Sequence, residues 1–511
     1  MNGIHRIVIL GGGSAGWMAA CLMAQRWLGK HAARPVEITL VESPAIGIIG
    51  VGEGSTPQLK AFFDRLDIAE ADWMLACDAT YKLGIRFHGW SERPGFERYF
   101  HPFPSPIDVH TQPHFQRACA LQRGGIAAPA HPDRWFLPTA LADAKLGPHA
   151  DRRFPFDLSY GYHFDAHKLG AYLRDQATAK GVRHLERRVI EVEQVESGDI
   201  AALLCEGGER IEGDFFIDSS GFAAVLAKKT LGTRFLPFAE NLFNDRAVVL
   251  PTPAATDGMP IATSATALSA GWAWSIPLTS RTGNGYVYSS SHLSDDAAET
   301  ELRRHTGTLD GLVEARHLRM KVGRLEDSWR SNCLAVGLAQ GFLEPLEATA
   351  LHIVLATMEE FIAAYEAGGF AAQHRGAFNT RIARRYEGIR DYIVAHYRLN
   401  QRGGEYWREA AAMDTLSDDL KALMTTWFTG QDMNATIQRL DIARYYSNLS
   451  WHCLFAGYGS FPDQSKLRGG AYRFDISKTA DFLDRAALNF ASHDVQLTSF
   501  RTHQSSCRIG L

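Results

Sequence analysis

A glycine-rich turn near the start of the chain is the first feature that could bind a charged ligand. Residues 11–16 read Gly-Gly-Gly-Ser-Ala-Gly and fit the dinucleotide-binding pattern G-x-G-x-x-G. An apolar run at 5–10 predicts a strand before the turn, and a helix is predicted after it. In this context Gly11 permits the tight bend, Gly13 lets the backbone approach a pyrophosphate, and Gly16 lets helix and strand pack closely.

The helix that starts at Ser14 and Ala15 is predicted to complete this phosphate site. Its first N–H groups and the positive end of its dipole favour an anion. A second predicted strand, at 36–42, ends in Glu42, where an acid hydrogen-bonds a ribose hydroxyl. The strand, helix and strand predict a right-handed βαβ unit. A glycine-rich turn without a ligand is the alternative that this context disfavours.

Two later segments favour FAD over NAD. Residues 213–221, Gly-Asp-Phe-Phe-Ile-Asp-Ser-Ser-Gly, resemble the second FAD fingerprint of flavoprotein monooxygenases, with Asp218 as its aspartate. Residues 332–339 fit the strand and turn that lead to the isoalloxazine end of the flavin. Each segment alone could be an ordinary buried strand. Three such pieces in this order predict an α/β, FAD-binding Rossmann-like fold of the flavoprotein monooxygenase type.

The segment at 271–277, Gly-Trp-Ala-Trp-Ser-Ile-Pro, matches the G-W-x-W-x-I-P motif of flavin-dependent halogenases. The chain therefore resembles the tryptophan and indole halogenase family, with specific motifs over most of the first 360 residues. The resemblance places Trp272 and Trp274 near the flavin. The alternative interpretation is two tryptophans of the core.

The same resemblance identifies Lys82 and Glu347 as the catalytic pair. Residues 81–87, Tyr-Lys-Leu-Gly-Ile-Arg-Phe, are similar to the segment that holds the family's essential lysine, and their apolar character favours burial over an ordinary surface lysine. In the family, a flavin hydroperoxide and halide give hypohalous acid, which the lysine delivers by hydrogen bonding or as a haloamine. Glu347 would orient this acid or accept the ring proton.

Residues 341–350 look like the family's loop E-P-L-E-S-T-G, in which backbone N–H groups hold the halide. In this chain those positions are Thr349 and Ala350, at a predicted helix start. Ala348 replaces the usual Ser, and Ala350 replaces the usual Gly. A Cβ at Ala350 could alter the local backbone, so chloride and bromide both stay open. Glu347 could also serve only as an acid at a helix N-terminus.

His101 and Phe103 fall where the family stacks the substrate ring. Relatives that use free tryptophan also grip its charged groups with an aromatic pair followed by a glutamate. Tyr445 and Tyr446 could be that pair, yet no Asp or Glu occurs from Tyr446 to Pro462. We therefore expect indole or a substituted indole rather than free tryptophan.

The resemblance assigns the remaining flavin contacts to Val51, Val189, Leu338 and Leu351. Residues 47–56 are similar to the family's strap, a loop that touches the flavin and substrate regions, in which Glu53 could couple the two. A plain surface loop is the alternative. No metal site is expected.

The 511 residues predict interleaved domains rather than one simple core. An FAD-binding domain is expected at 1–365, with substrate-side segments at about 91–160 and 235–330, and a helical substrate-side domain is expected at 366–511. Residues 91–160, rich in proline, histidine and aromatic residues, are expected to lie outside the sheet core.

The net charge of −4 argues against a nucleic-acid groove or an anionic membrane surface. Seven scattered cysteines form no CxxC pair, which favours a reducing, cytoplasmic compartment. Residues 7–24 are uncharged, but their central glycines predict a buried strand, turn and helix rather than a membrane span.

The function that the sequence favours is FADH2-dependent halogenation of an indole-type ring, with O2 and halide as co-substrates. A separate flavin reductase would supply the FADH2 by diffusion. An FAD-dependent aromatic hydroxylase or epoxidase is the main alternative, although it would normally carry an NAD(P)H-binding motif. A non-catalytic flavoprotein is a further alternative, disfavoured by the Lys82 and Glu347 pair.

Overall fold

The computed structural model describes residues 5–29, 35–45, 52–468 and 475–499. The chain divides into two compact units, each built from three chain segments. Unit 1 comprises 1–78, 164–239 and 320–387, and unit 2 comprises 79–163, 240–319 and 388–511.

The strands are numbered in chain order. They are β1 (His5–Leu10), β2 (Val36–Glu42), β3 (Glu53–Gly54), β4 (Thr80–Lys82), β5 (Gly84–His88), β6 (Arg98–Pro102), β7 (Leu146–Ala150), β8 (Gly161–Phe164), β9 (Arg183–Glu186), β10 (Val189–Gln194), β11 (Ile200–Cys205), β12 (Arg210–Glu212), β13 (Phe215–Asp218), β14 (Phe235–Pro237), β15 (Arg246–Pro253), β16 (Thr263–Leu268), β17 (Gly271–Pro277), β18 (Arg281–Tyr288), β19 (Arg316–Arg319), β20 (Gly323–Leu325), β21 (Trp329–Arg330), β22 (Cys333–Ala335), β23 (Gly341–Phe342) and β24 (Phe490–Ser492).

The α-helices are numbered in the same way. They are α1 (Ser14–Trp27), α2 (Gln58–Arg65), α3 (Glu70–Ala76), α4 (Gln112–Arg123), α5 (Leu137–Asp143), α6 (Ala166–Ala179), α7 (Asp295–Thr306), α8 (Ala350–Ala367), α9 (Arg375–Leu399), α10 (Glu405–Ala412), α11 (Asp418–Phe428), α12 (Met433–Leu440), α13 (Asn448–Gly457) and α14 (Ile476–Ala487).

Unit 1 is organised around a six-stranded sheet in the order β21-β22-β13-β1-β2-β9. Its strands from β22 to β9 are parallel, and β21 pairs antiparallel at one edge. Helix α1 connects β1 to β2 and packs against α6 and α8. Strand β1 is almost wholly buried, as expected of a central strand in a parallel sheet covered by helices.

These elements confirm the βαβ unit that the sequence predicts. Strands β1 and β2 have the predicted bounds, and α1 begins at Ser14 directly after the glycine turn. The helix ends at Trp27, slightly before the predicted end near residue 30. Within the described ranges, no helix combines the length and apolar character that crossing a bilayer requires.

Unit 2 is organised around a seven-stranded sheet in the order β19-β15-β18-β17-β16-β5-β6. All neighbouring strands are antiparallel except β16 and β5, which run parallel. The expectation that residues 91–160 lie outside the sheet is wrong for β6, the edge strand beside β5. Four of its five residues are buried, so the alternation of apolar and polar residues that identifies a half-buried strand is missing.

The last part of unit 2 is mostly helical, as predicted, and it returns to the earlier chain as a strand. Helices α10 to α14 follow one another from residue 405 to 487. Strand β24 then pairs antiparallel with β7, which lies more than 300 positions earlier in the sequence. This pairing fixes the residues around His493 against the segment that contains Lys145, whose carbonyl accepts the His493 N–H at 2.9 Å.

A buried acid in unit 2 makes the stability of the fold depend on pH. Asp108 lies in a 3₁₀ turn and is only 3% exposed. The Ser105 N–H donates to Asp108 Oδ2 at 2.7 Å, whereas Oδ1 has no hydrogen-bond partner among the described residues. Burial raises the pKa of this carboxyl from 3.8 to about 7. The raised pKa means that ionising this carboxyl costs free energy in the folded protein. The stability that the protonated carboxyl contributes is therefore complete below pH 3.8 and is lost as the pH rises through 7.

We expect Asp108→Asn to become increasingly stable relative to the native chain as the pH rises from about 4 to 7. The amide keeps an acceptor for the Ser105 N–H and cannot ionise. A shift of roughly 3 pKa units corresponds to at most about 4 kcal/mol in the free energy of unfolding. Urea denaturation at pH 5 and pH 8 measures this difference. The same change at the exposed Asp310 is the control, and a pH-independent difference at Asp108 would contradict the prediction.

Candidate functional site

The glycine turn of unit 1 has the geometry of a nucleotide phosphate site. Gly11 has φ +111°, a conformation that side chains rarely adopt, and a Cβ there would lie 2.2 Å from the Ser219 carbonyl oxygen. A Cβ at Gly16 would lie 2.0 Å from the Gly11 carbonyl oxygen. Gly13 differs because nothing lies within 4 Å of its Cβ position. The turn is therefore closely packed at Gly11 and Gly16, whereas the space beside Gly13, just before α1, is open.

The three predicted flavin segments converge within unit 1. The Ser219 carbonyl lies against Gly11, and the Val336 N–H donates to the Asp218 carbonyl at 2.9 Å. Gly337 begins the turn at 337–339 that contains Leu338. A Cβ at Gly337 would lie 2.6 Å from Ala15, so this turn packs directly on the first residues of α1.

Glu42 occupies the expected position beside the glycine turn. It ends β2, and a Cβ at Gly12 would lie 1.7 Å from its carboxylate. The carboxylate is also held by His184 Nε2 at 2.7 Å. His184 lies on β9, and its role cannot be predicted from the sequence, because only the pairing of β9 with β2 brings it to Glu42. Glu42 is thereby fixed where a ribose hydroxyl is expected.

Asp218 is buried beneath this site, and its carboxylate is fully occupied by its own turn. It accepts hydrogen bonds from the Ser220 N–H and hydroxyl, at 3.0 and 2.6 Å, and from the N–H groups of Leu226 and Ala227, each at 2.8 Å. Burial raises its pKa, and these bonds oppose the rise. The side chain therefore shapes the turn that carries the Ser219 carbonyl to Gly11.

The remaining predicted flavin residues lie in different parts of unit 1. Leu351 is buried in the first turn of α8, which contacts the turn containing Leu338. Val189 begins β10 and packs against a core cluster that includes Leu10 and Val41. Val51 and residues 47–50 of the predicted strap lie outside the described residues.

The described end of the strap contains an acid whose environment favours its protonated form. Glu53 forms part of β3. Burial, with a smaller contribution from Asp165, raises the pKa of Glu53 to about 7.

The residues around the glycine turn fit FAD. The open space at Gly13 leaves room for a pyrophosphate, and α1 has neither a side-chain cap nor an acid in its first turn. An unscreened helix N-terminus favours a bound anion. Glu42 and the turn at 337–339 lie around the same glycines, as the two ends of a dinucleotide require.

Glu347 lies in a tight turn that leads into α8. Pro345–Glu347 form a 3₁₀ turn, in which Glu344 and Glu347 are 0% and 3% exposed. Ala348 then adopts a left-handed conformation with φ +55°. For a residue with a Cβ this conformation costs about 1–2 kcal/mol, so the surrounding packing must hold the turn in place.

Thr349 and Ala350 open helix α8, as predicted. Thr349 is the N-cap without a side-chain capping bond, and Ala350 is the first helical residue. Ala350 is exposed and is not among the residues with positive φ. Its helical backbone suits alanine as well as glycine, so the departure from the family's glycine causes no backbone strain here. The helix N-terminus keeps its preference for an anion.

Gln340 anchors the start of this segment in a buried polar network of unit 1. Its amide nitrogen donates to Ser328 Oγ at 3.0 Å and to Thr357 Oγ1 at 3.2 Å. Its amide oxygen accepts from the Tyr386 hydroxyl at 3.1 Å. These bonds join the segment before Glu344 to α8 and α9. The sequence does not predict this role of Gln340, because a single glutamine beside a glycine has no distinguishing pattern.

Lys82 is fully buried at the end of β4 in unit 2. Strand β4 pairs antiparallel with β8, which places Lys82 opposite Gly161 and Thr80 opposite His163. The Lys82 Nζ lies 5.5 Å from the centre of the Phe103 ring. An ammonium at this distance is attracted to an aromatic face. The structure thus brings together the predicted lysine and one of the two predicted substrate-stacking residues.

A neutral histidine lies beside Lys82 in a defined tautomer. The Thr80 hydroxyl donates to the Pro277 carbonyl at 2.7 Å, so its oxygen accepts the contact of 3.1 Å from His163 Nδ1. The Nδ1 atom therefore carries the proton, and Nε2 accepts from the Thr263 hydroxyl at 2.9 Å. Burial and the charge of Lys82 hold the pKa of His163 well below its usual range.

Aromatic rings extend from His101 into the helical part of unit 2. His101 is 5% exposed, and its ring lies 5.8 Å from Tyr392. Tyr392 stacks on Tyr446 with ring centres 3.5 Å apart. Tyr445 lies against Gly388, where a Cβ would clash with its ring at 2.1 Å. The sequence does not predict a role for Tyr392, since one tyrosine in a long helical pattern indicates only a core position.

Trp272 and Trp274 lie on the same face of β17, with ring centres 6.1 Å apart. Both are buried, and the Trp274 ring covers Gly285, where a Cβ would lie 2.1 Å from it. The Trp274 indole N–H has no hydrogen-bond partner in the described part of the chain. The position of the Trp274 ring therefore depends on Gly285 of the neighbouring strand β18 as well as on the motif itself.

Comparisons with known proteins agree with this geometry. The family model described as "Tryptophan halogenase" matches residues 6–473. The tryptophan 6-halogenase SttH of Streptomyces toxytricini is 36% identical over 443 residues, covering 81% of this chain and 83% of that protein. The tryptophan 7-halogenase RebH of Lentzea aerocolonigenes is 33% identical over 498 residues and 91% of each chain.

Comparison with a solved structure points to the same family. BrvH, a flavin-dependent halogenase from Brevundimonas sp. BAL3, superposes with a TM-score of 0.81 at 32% identity, covering 98% of this chain and 100% of that one. The family model spans nearly the whole sequence, and the relatives match in sequence and in fold. The chain therefore belongs to the tryptophan halogenase family of flavin-dependent enzymes.

Proposed function

We propose that this protein is an FADH2-dependent halogenase that acts on an indole-type aromatic ring. The observation that carries the proposal is the position of Lys82, a fully buried lysine beside the ring of Phe103. A lysine is rarely buried without a specific role, because removing an ammonium from water is costly. The chain belongs to the tryptophan halogenase family, and delivery of the halogen is the role proposed for this lysine.

The dinucleotide is held by the glycine turn. The N–H groups at Ser14 and Ala15 bind the pyrophosphate above Gly13, and Glu42 binds a ribose hydroxyl. The turn containing Leu338 and the buried Leu351 line the flavin end, and Val189 and Val51 complete the contacts. Reduced FAD, when bound, supplies with O2 and a halide the hypohalous acid that the protein then uses.

Lys82 hydrogen-bonds the hypohalous acid and polarises its oxygen–halogen bond. A ring carbon attacks the halogen, so that a carbon–halogen bond forms and the oxygen–halogen bond breaks. The departing hydroxide takes a proton from the Lys82 ammonium and leaves as water. The ring then loses a proton, for which Glu347 is the acceptor. Because hypohalous acid is small and reactive, a fixed amine directs it in a way that free diffusion cannot.

The halide is held before it reacts by the backbone N–H groups at Thr349 and Ala350. The lack of a capping side chain at Thr349 and of an acid in the first turn of α8 supports this assignment. Chloride and bromide both satisfy the same donors.

The substrate is indole or a substituted indole, stacked at His101 and Phe103. Free tryptophan carries an ammonium and a carboxylate, which need partners when they are removed from water. The segment from Tyr446 to Pro462 contains no acid, and helix α13 is buried from Leu449 to Gly457. These residues lack an acid for the ammonium of an amino acid. A separate flavin reductase supplies FADH2 by diffusion, and no stable protein complex is required.

We expect Gly13→Ala to weaken FAD binding without unfolding the chain. The added methyl group meets no protein atom within 4 Å, and it would fill the space assigned to the pyrophosphate. The dissociation constant should rise at least about tenfold, which corresponds to roughly 1.4 kcal/mol. Fluorescence titration with FAD measures it. Gly376→Ala, at an exposed glycine of α9 with similar free space, is the control, and equal affinities for FAD in the two variants would contradict the assignment.

Lys82→Met should retain FAD binding and lose halogenation. Methionine fills most of the buried volume of lysine but cannot donate a hydrogen bond or form a haloamine. Product formation should fall by about 10²-fold or more. Mass spectrometry of indole incubated with the enzyme, FAD, a flavin reductase, NADH and bromide measures it. Lys60→Met, at a partly exposed lysine, is the control. Undiminished product from Lys82→Met would disprove the mechanism.

The native enzyme should halogenate indole with a higher kcat/KM than L-tryptophan. The charged groups of the amino acid would lose water without gaining the partners that a clamp provides. Mass spectrometry with each substrate separates three outcomes. A halogen isotope pattern mainly on indole supports the proposal, and one mainly on tryptophan contradicts the assigned substrate. A gain of one oxygen atom instead would favour the aromatic hydroxylase.

A further inference from the structure

A histidine from the C-terminal part of unit 2 bridges two backbone segments next to Lys82. The Tyr81 N–H donates to His493 Nε2 at 3.1 Å, and His493 Nδ1 contacts the Met259 carbonyl at 3.1 Å. An N–H group only donates, and a carbonyl only accepts. Nε2 is therefore the acceptor and Nδ1 carries the proton, so the imidazole is neutral and both of its nitrogens are used.

The bridge stands where a ladder of hydrogen bonds between two strands would otherwise continue. Strands β5 and β16 pair in parallel, starting with Ile85 opposite Thr263. Two residues earlier, the Leu83 N–H donates to the Ile261 carbonyl at 2.8 Å. Two residues earlier again, the same spacing leads to the Tyr81 N–H and the Met259 carbonyl. At that point the two backbones are joined through the imidazole instead.

This arrangement holds the strand of Lys82 along both of its edges. Strand β4 has only three residues and pairs with β8 along one edge. On the other edge, His493 accepts the Tyr81 N–H, one residue before Lys82. Tyr81 is fully buried, so its N–H has no access to water if that acceptor is lost.

His493 is itself fixed by its own segment. Its N–H donates to the Lys145 carbonyl at 2.9 Å, and the neighbouring Asp494 carboxylate accepts the Met259 N–H at 3.3 Å. Burial lowers the pKa of His493 to about 4, which keeps the imidazole neutral at neutral pH. A second proton on Nε2 would face the Tyr81 N–H and break the bridge.

We propose that His493 is a positioning residue for Lys82, because its imidazole fills the gap between Met259 and Tyr81 and sets where strand β4 presents the lysine amine. The inference rests on the proposed role of Lys82 in delivering hypohalous acid. His493 acts through the backbone of Tyr81.

Two substitutions separate the two halves of the bridge. The amide of His493→Asn lies near the position of Nδ1, so it still donates to the Met259 carbonyl but leaves the Tyr81 N–H without an acceptor. The longer side chain of His493→Gln brings its oxygen near the position of Nε2, so it accepts the Tyr81 N–H. Asp494→Ala is the matched control, because it removes contacts from the same segment to Met259 without touching β4.

We expect His493→Asn to lower kcat for indole halogenation by about 10- to 100-fold with KM and FAD affinity unchanged, because a small displacement of a catalytic group reduces the rate and not the binding. Hydrogen exchange measured by mass spectrometry should become faster at the Tyr81 amide. His493→Gln should restore both properties, and Asp494→Ala should leave both near the native values.

Three results would overturn the inference. The first is a kcat of His493→Asn equal to that of the native enzyme. The second is a loss of kcat in Asp494→Ala as large as that in His493→Asn, and the third is a kcat of His493→Gln that stays as low as that of His493→Asn. If His493→Asn does not fold, the Gln variant and Asp494→Ala decide the question by the same comparison. Full halogenation by Lys82→Met would instead disprove the proposed function, and the exchange rate at Tyr81 would still report on the bridge.

Discussion

Unit 1 depends on close contacts that leave no room for side chains at three glycines. Gly11 touches the Ser219 carbonyl, Gly16 touches the Gly11 carbonyl, and Gly337 touches Ala15. The first two contacts involve backbone atoms, which cannot rotate away as a flexible side chain can. The turn after β1, the turn after β13 and the turn after β22 therefore meet only if these positions lack a Cβ.

Unit 2 meets a different constraint, which is the burial of polar groups around Lys82. A buried lysine tolerates neutral neighbours better than cationic ones, and two histidines in this region are held neutral by burial. Their hydrogen bonds also fix their tautomers. The Thr80 hydroxyl donates its proton to another group and can only accept from His163, and the Tyr81 N–H can only donate to His493. The polar side chains near Lys82 thus have defined donors and acceptors, which limits the geometries available to strand β4.

The sequence predicts those parts of the fold and site that depend on local pattern. Strands β1 and β2 and the start of α1 follow from an apolar run, a glycine turn and an acid at a strand end. The helix start at Ala350 follows from its motif. Strand β6 was missed because burial on both faces removes the alternation that identifies a strand.

The residues that support the site could not be found in this way. His184 reaches Glu42 only through the pairing of two strands that are far apart in sequence, and Gln340 gains its role only where two helices and a turn meet. His493 is the clearest case, since it lies more than 400 positions from Tyr81. A single histidine or glutamine carries no periodicity, and its function is created by tertiary contacts.

The aromatic side of unit 2 bears on how a substrate without charged groups can be oriented. His101, Tyr392 and Tyr446 form a continuous series of ring contacts, and the helix that follows Tyr446 is buried. Stacking fixes the plane of a flat ring and its height, but it resists rotation within that plane only weakly. A charged clamp would supply that missing restraint. If the substrate is an uncharged indole, as proposed, the position of halogenation would depend on the shape of the surrounding walls and on a precisely fixed amine. Under that proposal, the support of strand β4 would matter more here than in an enzyme that grips its substrate by charge.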